Sequence, residues 1–398
     1  MSVKRIIRNR TLAGAFALTI AGSAFGQTGP SADALFADGR FSEAGAAYEA
    51  ALQVTPGDEH AMAGLARIRL YQGQEAKAEE LAAKALAISP DDPVAAQTRR
   101  MAQLRLGAGQ FQIQAPPGET VVPFVRTDPL PVVQITLGKD RQALFLIETG
   151  GPDITIGPDL AKELGLAVAD AGQGVFAGGR RAQVQRTVVP ELTLGAVTVS
   201  NVPAGVLPSG GVLAGNRIEG IIGTGLLRHF LATLDYCGGR LVLAPRAASA
   251  GFEQKARASG ANIVPMWFVG DHFMFSRAHL QKGAEHQFLI DTGMAGGGLG
   301  ATKETLDEAG VALDPANART GMGGGGAVSV IPFRAGATLG SMSVDDVPGN
   351  YSPNGDPTSI FPFKVGGMLS HMFFRQTRLT FDFDAMKLVT RACPAASS

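Results

Sequence analysis

The sequence predicts a mainly β protein in which two similar β lobes stand in tandem behind a small domain of helical repeats. Three observations lead there. A 34-residue period runs through residues 31–107, the composition turns to Pro, Gly and Val between Phe111 and Pro131, and an acidic motif at Glu148 returns 143 residues later at Asp291.

The bulk numbers fit this architecture. A chain of 398 residues with 45% hydrophobic and 18% charged residues can build two or three cored domains and is unlike a disordered segment. Glycine is abundant, 52 residues against only 7% aromatics, as expected of many tight turns. Lys+Arg 35 equals Asp+Glu 35, so the basic field that holds nucleic acid is missing, and no nucleic-acid partner is expected.

Residues 1–26 have the layout of a signal peptide. Lys4, Arg5, Arg8 and Arg10 precede an apolar run from Leu12 to Ile20, and small residues stand at Ala24 and Gly26. No later stretch approaches the roughly 20 apolar residues that span a bilayer. The expectation is an exported protein, periplasmic or secreted, with no membrane partner after cleavage. Cys237 and Cys393 would then meet an oxidising compartment and form a candidate disulfide, both lying beside the last strands of the two halves.

In the helical region, Gly39, Ala44, Ala51, Leu52, Pro56 and Asp58 recur 34 residues on as Gly73, Ala78, Ala85, Leu86, Pro90 and Asp92. The period, the small residues and the closing prolines resemble the tetratricopeptide repeat. That resemblance implies helix-turn-helix pairs that either bind a protein partner or serve as a packing platform.

Beyond the boundary, lobes are expected over 120–246 and 260–393. Short apolar runs such as Val132–Leu137, Ala143–Ile147, Leu241–Leu243 and Gln287–Ile290, set between Gly-rich turns, predict strands. Helices are expected near Asp159–Leu164, Leu226–Phe230, Lys303–Ala309 and Met368–Phe374. The halves align over Leu146–Gly150 with Leu289–Gly293 at an offset of 143. Gly220–Gly223 then aligns with Gly367–Ser370, and Asp235-Tyr236 with Asp382-Phe383, at an offset of 147.

An acidic residue followed by Thr-Gly after a buried strand presents a carboxylate at a sharp turn, where the threonine can hydrogen-bond a matching loop. Two such motifs related by a pseudo-twofold axis would bring two carboxyl groups together. Sharing one proton, they could act as base toward water and as acid toward a carbonyl, with no metal or cofactor.

Phe145–Gly150, Phe288–Gly293, Glu219–Gly223 and Thr233–Tyr236 resemble the bacterial retropepsin-like aspartyl proteases, and the resemblance covers about residues 120–393. It implies closed, pepsin-like β lobes in one chain and an aspartic-type endopeptidase that hydrolyses a peptide or protein substrate. Glu148 and Asp291 would be its catalytic pair, with Thr149, Gly150, Thr292 and Gly293 in support. Segments Gln173–Val188 and Arg319–Phe333 occupy the flap positions, with Gly178, Gly179, Gly323 and Gly324 toward their tips. A single-chain pair needs no dimer, so a monomer is expected. The chain departs from the family at three points: Glu148 replaces aspartate, Met294 stands where a small residue is usual, and Ser370 replaces a glycine. These departures motivate an alternative, a weak or inactive peptide-binding module on the same fold.

Other constellations lack their parts. Gly321-x-Gly323-x-x-Gly326 precedes strand-like rather than helical sequence, which is wrong for a dinucleotide site. His272, His279 and His286 match no common zinc spacing and are expected at the surface. Asp153 is expected to be an exposed turn acid. There is no Gly-x-Ser-x-Gly elbow.

Overall fold

Left-handed glycines at the repeated positions Gly39 and Gly73, with φ of 71° and 66°, turn the chain between successive helices of the N-terminal region. The computed structural model describes residues 29–107, 112–176, 180–207, 217–323, 326–355 and 360–394. The expected leader, Gly178, Gly179 and Gly324 lie outside these. The helices are α1 (Ala32–Ala37), α2 (Phe41–Val54), α3 (Glu59–Tyr71), α4 (Glu75–Ile88) and α5 (Pro93–Leu106). Side chains of Ser31, Asp58 and Asp92 cap α1, α3 and α5 by accepting the N–H groups of Ala34, Ala61 and Ala95.

The first lobe contains β1 (Gln112–Gln114), β2 (Thr120–Pro123), β3 (Val132–Leu137), β4 (Arg141–Ile147), β5 (Ile154–Ile156), β6 (Ala169–Phe176), β7 (Arg180–Leu194), β8 (Val197–Val206), β9 (Gly220–Ile222), β10 (Phe230–Asp235) and β11 (Arg240–Pro245), with short helices α6 (Pro158–Glu163) and α7 (Thr224–Leu227). Strands β8-β5-β9-β4-β3-β7 pair in that order and β7 returns to β8, which closes a six-stranded barrel. Alternation along β8 sends Val197, Val199, Val202, Ala204 and Val206 inward, where they meet Phe145 and Ile147 of β4. Hairpin β6–β7 projects from the barrel.

The second lobe follows helix α8 (Phe252–Ala258) and repeats the plan. It comprises β12 (Asn262–Pro265), β13 (Trp267–Val269), β14 (Phe273–Leu280), β15 (His286–Ile290), β16 (Leu299–Ala301), α9 (Lys303–Glu308), β17 (Arg319–Gly323), β18 (Gly326–Leu339), β19 (Met342–Tyr351), β20 (Val365–Leu369), α10 (His371–Phe374), β21 (Thr377–Asp382) and β22 (Lys387–Ala392). Strands β14-β15-β20-β16-β19-β18 close through β18–β14. A six-stranded sheet, β12-β22-β21-β10-β11-β2, then joins the lobes. At its centre Thr233 and Thr380 face each other with hydroxyls 2.7 Å apart.

Two expected helices are shorter than predicted. Met368 and Leu369 belong to β20, because parallel pairing with Leu289 and Ile290 of β15 claims their backbone groups, and helix begins only at His371. Likewise α7 ends at Leu227, and Phe230 opens β10. His286 is buried rather than at the surface, with Nε2 2.6 Å from Glu308 of α9.

Cys237, just past β10, is bonded to Cys393, just past β22, with their Cα atoms 5.3 Å apart. The bridge spans 156 residues and ties one lobe's exit to the other's. Cross-linking a loop that long restricts the unfolded chain most. The double variant Cys237→Ser/Cys393→Ser should lose about 2–4 kcal/mol in denaturant unfolding. An unchanged midpoint would show that the shared sheet alone holds the lobes.

The helical region is seated on the second lobe. Phe36, Phe41 and Tyr71 share one core with Trp267, Phe275 and Phe363. Lys364 N–H donates to Ala37 O at 2.7 Å, and Gln287 Nε2 donates to Gly39 O at 2.7 Å.

Candidate active site

Glu148 and Asp291 directly follow the last residues of β4 and β15, and each acid is fixed by the same backbone device. Glu148 N–H donates to Ile222 O of β9 at 3.0 Å, and Asp291 N–H donates to Leu369 O of β20 at 3.1 Å. The two loops then interlock. Thr149 N–H donates to Thr292 Oγ1 at 3.2 Å, Thr292 N–H donates to Thr149 Oγ1 at 3.0 Å, and Thr149 Oγ1 donates to Ile290 O at 3.1 Å. Both threonines are fully buried. Beneath them Thr224 of α7 donates its hydroxyl to Thr149 O at 2.7 Å.

This interlock brings each carboxyl group over the other lobe's glycine. A Cβ on Gly150 would lie 2.2 Å from Asp291 Cγ, and one on Gly293 would lie 2.4 Å from Glu148 Cδ. Neither position can carry a side chain without displacing the acid. The same glycine contact accommodates the longer arm of Glu148, whose Cγ would also stand 2.4 Å from a Gly293 Cβ.

The two acids differ electrostatically. Burial, and then the neighbouring Asp291 charge, push the Glu148 carboxyl well above the usual carboxylate range, to about 8. Burial also raises Asp291, but three effects oppose it: the Gly293 N–H at 2.8 Å, the His272 charge and the Gly150 N–H. Among the described residues no hydrogen bond reaches the Glu148 carboxyl. Burial thus favours a proton on Glu148, while the hydrogen bonds that support an ionised carboxyl fall on Asp291.

The chain matches the family model described as aspartyl protease over residues 133–226, a stretch that holds the Glu148 loop, the β6–β7 hairpin and Gly220–Gly223. That stretch is similar to an aspartyl protease domain. The chain's N-terminal region matches the tetratricopeptide repeat model over residues 35–112. No curated protein matches the chain. The second lobe, which supplies Asp291, lies outside the aspartyl protease match but repeats the six-stranded barrel of the first strand for strand.

The unusual residues of the two lobes have local explanations. Ser370, aligned with Gly223, is fully buried, and its Oγ accepts the Met294 N–H at 2.9 Å. At Gly223 a Cβ would stand 1.8 Å from Pro152 O, so the first lobe leaves no such room. The Met294 sulfur meets Asn350 Nδ2 at 3.6 Å, inside its own lobe. Asp153 is partly buried rather than an exposed turn acid. A Cβ on Gly225 of α7 would stand 2.1 Å from its Oδ1, and burial raises its pKa. Gly323 pairs with Gly326 at the end of hairpin β17–β18, the second-lobe counterpart of β6–β7. Thr224 and Asp271 were not singled out by sequence, and His272 was read only as a surface residue. The Gly-Thr-Gly that follows Ile221-Ile222 was the available signal for the first, and nothing local marked the second.

Proposed function

We propose that the protein is an exported aspartic-type endopeptidase in which Glu148 and Asp291 activate water between them. The observation that carries this reading is the Thr149–Thr292 interlock, which sets two carboxyl groups of unequal protonation preference over facing glycines. Asp291, favoured as carboxylate, takes a proton from the attacking water. Glu148, favoured as acid, donates to the oxygen of the scissile carbonyl, and the tetrahedral diol collapses with C–N cleavage as Asp291 passes its proton to the leaving amine and a diol hydroxyl returns one to Glu148. Hairpins β6–β7 and β17–β18, with Gly323 near a tip, cover the peptide as flaps. A disulfide between Cys237 and Cys393 supports an oxidising compartment beyond the cytoplasmic membrane. The single-chain pair makes a monomer sufficient, and the face of the helical repeats turned away from the second lobe is left for a protein partner.

The test is cleavage of a diverse peptide library by the mature chain from about pH 3 to 8, the span over which such carboxyls titrate, beside Asp291→Asn. Cuts present in the native chain and absent in the variant are expected. No cuts from folded native protein would leave a peptide-binding module on this scaffold.

A further inference from the structure

Arg105, near the end of α5, adds a polar grip on the second lobe to the shared aromatic core. It is 2% exposed. Its Nη1 donates to Leu70 O of α3 at 2.8 Å, its Nη2 to Phe268 O of β13 at 2.9 Å and its Nε to Gly270 O at 3.1 Å. The guanidinium lies 4.3 Å over the Phe268 ring, with Glu75 of α4 at 3.7 Å. A buried guanidinium is tolerated when its donors are used, and here three backbone carbonyls from two regions use them. Immediately after Gly270, which is left-handed at φ 63°, come Asp271 and His272.

The pseudo-twofold axis makes this support informative. The offsets that relate the lobes, 143 and 147, also carry Asp128 onto Asp271 and Arg228 onto Arg375. On one side the lobes are clamped: Asp128 accepts from Arg375 Nε at 2.9 Å and Nη2 at 2.8 Å, and meets His371 Nε2 at 3.1 Å. On the other side no ion pair joins Asp271 to Arg228 among the described residues, and Asp271 instead contacts His272 Nδ1 at 2.5 Å. Where the second cross-lobe clamp is missing, Arg105 holds the turn from behind.

We propose that Arg105 is a positioning residue through which the helical repeats hold the Asp271–His272 turn in register with the Glu148–Asp291 pair. His272 interacts electrostatically with Asp271 on its own turn, with Asp153 of the first lobe and with Asp291 of the dyad, while Arg186 of β7 and Arg228 act on its neighbours Asp153 and Asp271. Its charge favours ionised Asp291, so a displaced turn leaves Asp291 harder to ionise. The activity readout rests on the dyad reading above. The structural readout does not.

The experiment compares hydrogen–deuterium exchange and the pH profile of kcat/KM in the full chain and in Arg105→Gln, Arg105→Lys and Glu75→Gln. Losing charge-assisted bonds to three carbonyls should speed exchange over residues 267–275 by about 10-fold or more in Arg105→Gln, with β3–β5 at native rates. The acid limb of the profile should move to higher pH and kcat should fall more than KM rises. Glu75→Gln, which keeps the carbonyl bonds, should stay near native. Native exchange over 267–275, exchange raised evenly across the chain, or an unmoved acid limb would each overturn the proposal. If Arg105→Gln does not fold, Arg105→Lys decides by the same criteria, since one ammonium cannot span all three carbonyls. If the native chain cleaves nothing, the dyad reading fails, and the exchange pattern alone decides the role of Arg105.

Discussion

Asp291→Asn and Glu148→Gln should each give a folded chain that turns over peptides about 10²–10⁴ times more slowly, and the double variant should be little slower than either. Each replacement removes one half of a proton exchange that works only as a unit, which is why the losses should not add. The two single variants should nonetheless differ in stability. The folded chain holds a proton at Glu148 that the unfolded chain releases once pH exceeds the ordinary carboxylate range. Folded protein then binds more protons than unfolded protein, so the native chain loses stability as pH rises from about 4.5 toward the raised value. Gln at 148 carries no such proton. Melting curves of Glu148→Gln and native protein should coincide near pH 3.5, below that window, and separate toward pH 7 with the variant the more stable. A variant less stable at pH 7 would mean that Glu148 is ionised in the fold and held by a partner. The kinetic counterpart is Glu148→Asp. The shorter arm keeps its carboxyl over Gly293, and aspartic acid gives up its proton at lower pH than glutamic acid, so the activity profile should narrow on its alkaline side.

The lobes and their acids were legible in the sequence because the duplication is carried by residues that cannot vary freely. Glycines at 150, 293, 220 and 367 stand where a Cβ would run into the facing carboxyl, an aromatic ring or a backbone oxygen. The apolar triplets before each acid are strands buried in the barrels. What was not legible depends on contacts between distant segments. Met368 and Leu369 have helical neighbours and apolar character, and only pairing with β15 makes them strand. His286 looked like a surface residue in a strand-like run until α9 brought Glu308 over it. Arg105 is one of several arginines in an Ala-rich helical period, and two of the three carbonyls it binds lie more than 160 residues away. The repeat pattern foretold the helices without showing which face they would spend on their own chain.

That face is the basis of the largest expected loss of stability. Phe41→Ala should cost about 3–5 kcal/mol, the range for a fully buried aromatic truncated in a close-packed core. Phe41 is 1% exposed and meets four rings at once: Phe36 at 5.4 Å, Tyr71 at 5.5 Å, Trp267 at 5.2 Å and Phe363 at 4.8 Å. Two of these belong to the helices and two to the second lobe, so the cavity would open at the joint itself. Because the core is shared, the loss should appear as one unfolding transition moved to lower denaturant, followed alike by helical and β signals. Val54→Ala, at the exposed end of α2 with 84% of its surface open, should stay within about 0.5 kcal/mol of native. An early helical transition in Phe41→Ala, with the lobes unfolding at the native midpoint, would mean that the repeats fold by themselves and only lean on the lobe. A single shifted transition would make the helical region part of the second lobe's core, and any protein partner would then have to bind the face turned away from it.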